Sequence, residues 1–162
     1  MFELPEKRPE GLHKSYVPAI IRAMSKANVW IYRATGGAVG GTWRVGAGYA
    51  KPAPVCLLTT IGKKSGEPRT APLLYMKDGA NIVIVASQGG LPKDPLWYAN
   101  LKKTPEVTIQ VKRDVRKYVA RTASPTEREA LWPRLVDTYA DYAKYATWTD
   151  RVIPVVICEP VV

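Results

Sequence analysis

The connections between this chain's apolar runs are too short for anything but antiparallel pairing. PVCLLTTIG (54–62) is joined to TAPLLYM (70–76) across the turn KKSGEP, and KDGAN then leads into IVIVAS. VTIQVK (107–112) meets RKYVART (116–122) across a tight basic turn at Arg113 and Asp114. A parallel pair needs a crossover of a dozen or more residues, usually a helix, and these linkers leave no room for one. A doubly wound parallel sheet is therefore excluded here, and a small antiparallel barrel is expected.

Helical patterns lie on either side of that sheet. From Pro18 onward Ile20, Met24, Ala27 and Ile31 recur at spacings of three and four, with Arg22, Lys26 and Arg33 toward another side. The pattern reads as a helix packed on the core, or as one lying on a membrane surface with Trp30 and Tyr32 near the headgroups. LWYANLKKT (96–104) reads as a short helix. Ser124, Pro125 and Glu127 form a capping-box start for a helix that turns Leu131, Leu135 and Val136 inward, before the last strand, VIPVVICEP. The expected class is α+β: a barrel with an N-terminal helix and a helix before the last strand. Residues 1–16 read as a flexible arm, and 17–162 as a single domain. No secretory signal and no membrane-spanning run stands out, so a cytoplasmic protein is expected.

Composition matters at one point, the net charge of +10. It suggests a polyanionic partner: nucleic acid, an anionic membrane surface, or a phosphorylated or carboxylate-rich cofactor. Cys56 and Cys158 lie in apolar runs and read as buried thiols, and His13 is the sole histidine, so no metal set is recognisable. The glycine-rich connector 35–51 contains neither G-x-G-x-x-G nor a nucleotide-triphosphatase phosphate loop, and reads as a loop or cover.

Three constellations carry possible chemistry. In the basic turn, Lys63, Lys64 and Arg69 bracket Ser65, Gly66, Glu67 and Pro68. Gly66 permits a backbone nest and Arg69 a bidentate grip, so the turn is either an anion site or a solubilising hairpin. Next, VIVASQGG (83–90) ends a buried run in Ser87, Gln88, Gly89 and Gly90, where a planar ligand can approach the backbone, or the chain simply turns. Last, Tyr139, Tyr142 and Tyr145 recur every three residues, as a pocket wall with orienting hydroxyls or as core packing. Trp97 and Tyr98 add aromatic surface. These aromatics are not interleaved with the lysines, which disfavours nucleic acid.

Together GGTWR (40–44), LLTTIGKKSGEPR (57–69), VIVASQGG (83–90), DPLWYANLKK (94–103) and YADYAKYATWTDRVIPVVICEP (139–160) resemble the deazaflavin-dependent nitroreductases of actinobacteria, also called coenzyme F-420-dependent quinone reductases. The resemblance implies a split β-barrel like that of the flavin-binding pyridoxamine phosphate oxidases. It implies a reduced deazaflavin that hands hydride to quinones, nitroaromatics or activated alkenes. By the resemblance Lys63, Lys64, Ser65 and Arg69 hold the cofactor's phosphate and glutamyl tail. Pro72, Leu73, Leu74 and Ser87, Gln88, Gly89 and Gly90 wall its linker and ring, and Leu96, Trp97 and Asn100 lie on the helix beside it. Ser87, Tyr142 and Tyr145 carry catalytic roles and Tyr139 and Trp97 border the acceptor, with Tyr142 also touching the cofactor. Gln88 stands where lysine is expected and Leu74 where tyrosine is common. A monomer is expected, with possible membrane contact through the N-terminal helix. The alternatives are a split-barrel protein using FMN or binding a ligand without turnover, and a basic nucleic-acid or membrane module.

Overall fold

The structure, a computed structural model, describes residues 17–162, with side chains from Arg22 onward. The arm expected at 1–16, with His13, lies outside the described residues. The elements run α1 (Val17–Thr35), β1 (Thr42–Trp43), β2 (Ala53–Ile61), β3 (Pro68–Leu74), β4 (Met76–Asp78), β5 (Asn81–Val85), α2 (Leu96–Lys103), β6 (Glu106–Val111), β7 (Asp114–Thr122), α3 (Pro125–Thr138), α4 (Asp141–Thr147) and β8 (Val155–Pro160).

The strands form one curled sheet in the order β1-β2-β6-β7-β8-β5-β4, with β3 paired to β2 off this path. Every pairing is antiparallel, as the short connections require. This is the split β-barrel architecture. Alternation along the strands then assigns the faces. Cys56, Leu58, Ile82, Ile84, Ile109, Val156 and Cys158 fill the barrel interior, closed by Tyr98 and Leu101 of α2. On the opposite face, Val83, Val85, Val155 and Ile157 pack under Leu131, Leu135, Tyr139 and Tyr142. Val55 and Leu57 face outward beneath Val29 and Tyr32 of α1, and Leu74 touches both outer clusters.

The inward stripe expected on α1 packs only in part: Ile31 is half-buried, and the Ile20 side chain lies outside the described residues. Met24 is 60% exposed and Ala27 is exposed, whereas Val29 and Tyr32 are buried. A polar anchor sets the helix rotation. The Tyr32 hydroxyl donates to the Val55 carbonyl (3.0 Å) and accepts from the Lys112 N–H (2.7 Å), tying α1 to β2 and to the β6–β7 turn. Apolar periodicity cannot register such a tie. Tyr32 is therefore unavailable to a membrane surface, while Trp30 is 72% exposed. Among the described residues no helix is long and apolar enough to cross a membrane. Tyr32→Phe is expected to lower stability by about 1–2 kcal/mol, measured by urea unfolding, because a buried carbonyl and an N–H lose their partner together.

The helix expected before the last strand is two helices. Ser124 caps α3 as expected: its Oγ accepts from the Glu127 N–H (3.2 Å), while the Glu127 carboxylate accepts from the Ser124 N–H (2.8 Å). The chain leaves helical geometry at Tyr139 (φ −148°) and re-enters at α4. Cys56 and Cys158 are free and buried, and burial pushes the Cys158 thiol up to about 12.

Candidate functional site

The basic turn sits at one end of the β2–β3 pair. Gly66 adopts φ +70°, and the Gly62 N–H donates to the Glu67 carbonyl (2.8 Å) as the Gly66 N–H donates to Gly62 (2.9 Å). The Glu67 N–H donates to Ser65 Oγ (3.2 Å). These bonds occupy the Gly66 and Glu67 N–H groups, two of those that a backbone nest at Gly66 would offer, so much of an anion's grip falls to the side chains. Lys63, Lys64, Ser65 and Arg69 are exposed. Arg69 meets only a loose, open Glu67 pair at 3.5 Å, a contact worth little in water, and its guanidinium can turn to a ligand.

Asn100 has a structural task beside the one the resemblance implies. Its amide is buried and spent on protein: Nδ2 donates to Thr60 Oγ1 (3.1 Å), and Oδ1 accepts from the Lys63 N–H (2.9 Å). Lys103 Nζ donates to the Lys63 carbonyl (2.9 Å). α2 thus holds the foot of the basic turn through Asn100 and Lys103. On the same helix Leu96 is 84% exposed, and Trp97 is half-buried with its ring edge-on to Tyr98.

β3 leads from the basic turn to the other half of the site. Leu73 turns into the barrel, while Pro72 lies opposite Leu57 on the outer face with Leu74, which touches the helical cluster. Arg69 and Leu74 are five residues apart on one strand, a span of about 17 Å at ~3.3 Å per residue.

β5 ends in an unusual turn. Ser87 is right-handed (φ −74°) with no capping bond from its side chain. Gln88, Gly89 and Gly90 follow at φ +44°, +60° and +74°. A Cβ on Gly89 would meet nothing within 4 Å, so that side of the backbone is open. A Cβ on Gly90 would sit 2.9 Å from the Tyr145 carbonyl oxygen, so there the turn packs on α4. Gln88 is exposed and Ser87 half-buried.

Against this turn stands an aromatic wall. Ring centroids of Tyr139 and Tyr142 lie 5.3 Å apart, of Tyr139 and Tyr145 6.3 Å, and of Tyr142 and Tyr145 6.4 Å, with Trp148 5.5 Å from Tyr145. Burial raises all three tyrosine pKa values above the ordinary phenol range; a Tyr139–Tyr145 hydrogen bond raises Tyr139 further and draws Tyr145 back. Each is therefore a neutral donor at physiological pH.

Several residues that build this wall escaped the sequence reading. Trp43 Nε1 donates to the Tyr139 hydroxyl (3.3 Å), and buried Asp141 accepts from the Ala47 N–H (2.8 Å). The glycine-rich connector is thus latched to α4, and a side chain on Gly46 would run into the Asp141 carboxylate. An acid in the first turn of α4 was the one visible signal. Arg151 organises the turn after β5 and had no signal at all.

Comparison with known proteins identifies the family. Residues 24–160 match the family model described as F420H(2)-dependent quinone reductase. Rv3178 of Mycobacterium tuberculosis (strain ATCC 25618 / H37Rv), named as a candidate F420H(2)-dependent quinone reductase, is 47% identical over 72% of this chain and 98% of its own length. The solved F420-H2 dependent reductase FDR-A is 44% identical, with a TM-score of 0.62 over 65% of this chain and 94% of that one. A further solved chain, described as a domain-swapped dimer, is 35% identical with a TM-score of 0.65 over 88% of this chain and 98% of that one. The chain belongs to the F420H(2)-dependent quinone reductase family, and its cofactor is coenzyme F-420.

Proposed function

We propose that Lys64 and Arg69, with Lys63 and Ser65, hold the anionic tail of coenzyme F-420. Pro72, Leu74 and the Ser87–Gly90 turn would hold its ring, and the tyrosine wall with Trp97 would hold the acceptor. One observation carries this reading: β3 begins at the exposed cations of the basic turn and reaches, about 17 Å along the strand from Arg69, Leu74, which packs against the cluster that holds the tyrosines, the two side chains leaving opposite faces of the strand. An elongated ligand, charged at one end and planar at the other, fits that span. The open backbone at Gly89 suits a flat ring, and the half-buried, uncapped Ser87 leaves a hydroxyl at its edge.

When bound, the reduced deazaflavin supplies the hydride, which explains why no metal or redox cysteine is asked of the protein. The protein's own work is positioning, exclusion of water and electrostatics. The Tyr142 and Tyr145 hydroxyls, neutral at physiological pH, would donate to the acceptor oxygen as negative charge grows there, and Ser87 adds a donor from the strand end. Because burial raises these phenols, none ionises below the ordinary phenol range. The tyrosines are therefore expected to add no pH dependence to the hydride step between about pH 6 and 9, so that in a pH-jump series wild type and Tyr145→Phe give rate profiles of the same shape.

Quinones are the acceptors of the family. We extend the proposal to nitroaromatics and activated alkenes, because stacked rings and neutral donors recognise planar shape and oxygen rather than one functional group. F-420H2 oxidation followed spectrally against quinone, nitroaromatic and enone series tests this. Turnover with quinones alone would restrict the range. The monomer expected from the sequence has no support, since a relative is described as a domain-swapped dimer.

A further inference from the structure

Arg151 lies between α4 and β8, with its side chain 15% exposed, and each of its guanidinium nitrogens donates. Nε donates to the Leu91 carbonyl (2.9 Å) and Nη2 to the Ser87 carbonyl (2.8 Å). Nη1 donates to the Ala86 carbonyl (3.2 Å) and to the Asp94 carboxylate (2.9 Å). All these acceptors belong to the segment that follows β5. A planar fork with fixed donors can satisfy such a set, and an ammonium cannot.

What the fork holds is strained. Gln88 is left-handed at φ +44°, which costs a non-glycine residue about 1–2 kcal/mol. Strain of this kind persists only where the surroundings over-determine the backbone. Here the carbonyls on both sides of Gln88–Gly90 are tied to one guanidinium, while Gly90 packs on the Tyr145 backbone. Two residues separate Arg151 from Trp148 at the end of the tyrosine helix. One side chain therefore ties the glycine turn to the loop that carries the aromatic wall onward.

We infer that Arg151 is a positioning residue: it sets the separation between the Ser87–Gly90 turn and the tyrosine wall, and so the approach of cofactor and acceptor, while touching neither. The inference rests on the placement proposed above. A displacement of about 1 Å at a reacting centre can cost on the order of 100-fold in rate, whereas the basic turn that grips the tail stands on Asn100 and Lys103, outside Arg151's reach.

The test is Arg151→Lys, with Asp94→Asn as a milder second variant in case the first does not fold. Amide hydrogen exchange is measured on the protein without cofactor, and F-420 affinity and F-420H2 turnover with a naphthoquinone on the loaded enzyme. For Arg151→Lys we expect about tenfold faster exchange at 87–91 and turnover at saturating cofactor down about 100-fold, with a far smaller rise in the F-420 dissociation constant, about threefold to fivefold, because the turn meets the ring while the tail is held elsewhere. Asp94→Asn should lower turnover at saturating cofactor about threefold to tenfold, with a rise in the dissociation constant of no more than about twofold. Unchanged turnover in the folded variants overturns the inference. So does a loss of turnover matched by equal loss of cofactor binding or of folded protein, or one without faster exchange. If wild-type protein does not bind F-420 at all, the proposed placement fails first, and the exchange data still report whether Arg151 holds the turn.

Discussion

Replacing Lys64 and Arg69 together by alanine is expected to raise the dissociation constant for F-420 about 30-fold while the protein melts as wild type does. Hydrogen bonds to charged groups contribute about 1.5–3 kcal/mol each, but both side chains here are exposed and screened, so about 2 kcal/mol for the pair is the fair figure. At 1.4 kcal/mol per tenfold, that gives the factor stated. Stability should not move. Arg69's protein partner is the open Glu67 pair, and the turn is held by backbone bonds and by Asn100, all untouched. Quenching of deazaflavin fluorescence measures the constant, and raising salt should weaken wild type toward the variant. An unchanged constant would remove the anion site from the account.

Tyr142→Phe should do the reverse: quinone turnover falls about 10- to 100-fold, and cofactor affinity stays within twofold. Tyr142 is buried, burial is the first cause of its raised pKa, and no hydrogen bond contributes to that shift. Among the described residues no hydrogen bond reaches the Tyr142 hydroxyl, and a buried hydroxyl in that state costs stability, so phenylalanine should leave the fold as stable as wild type or slightly more so. A group that is expensive at rest and neutral at working pH suits a donor kept for the acceptor, with the magnitude typical of one preorganised donor. Wild-type turnover in the phenylalanine variant across all acceptor classes would return Tyr142 to the core. Tyr139 would behave differently, because its hydroxyl already receives the Trp43 indole and bonds to Tyr145.

The barrel was legible because its cause is local. Linker lengths dictated antiparallel pairing, whereas the faces of β2 were not legible, because Val55 to Leu58 are all apolar, and the structure turns Cys56 and Leu58 inward and Val55 and Leu57 outward. The cap at Ser124 was equally local. Where long-range polar ties decide, the reading failed. The rotation of α1 depends on one hydroxyl reaching Val55 and Lys112, partners 23 and 80 residues away. The same holds for the candidate site. Its exposed cations and tyrosine stripe announced themselves by residue type and spacing. Asn100 as the foot of the turn, Asp141 as the latch and Arg151 as the clamp are hydrogen-bonding roles set by contacts 37 to 94 residues distant. No window of sequence contains both partners.

The central claim is that one elongated site binds reduced deazaflavin by its tail and passes hydride to a planar acceptor at the tyrosine wall. Anaerobic mixing of the protein loaded with F-420H2 against a naphthoquinone, with recovery of the oxidised deazaflavin spectrum, tests it most directly. The account predicts rapid, quinone-dependent recovery that slows in Tyr142→Phe at saturating cofactor and is restored in the Lys64→Ala, Arg69→Ala variant by adding more cofactor. Retention of FMN in place of F-420, or recovery equally fast without the protein, would contradict it.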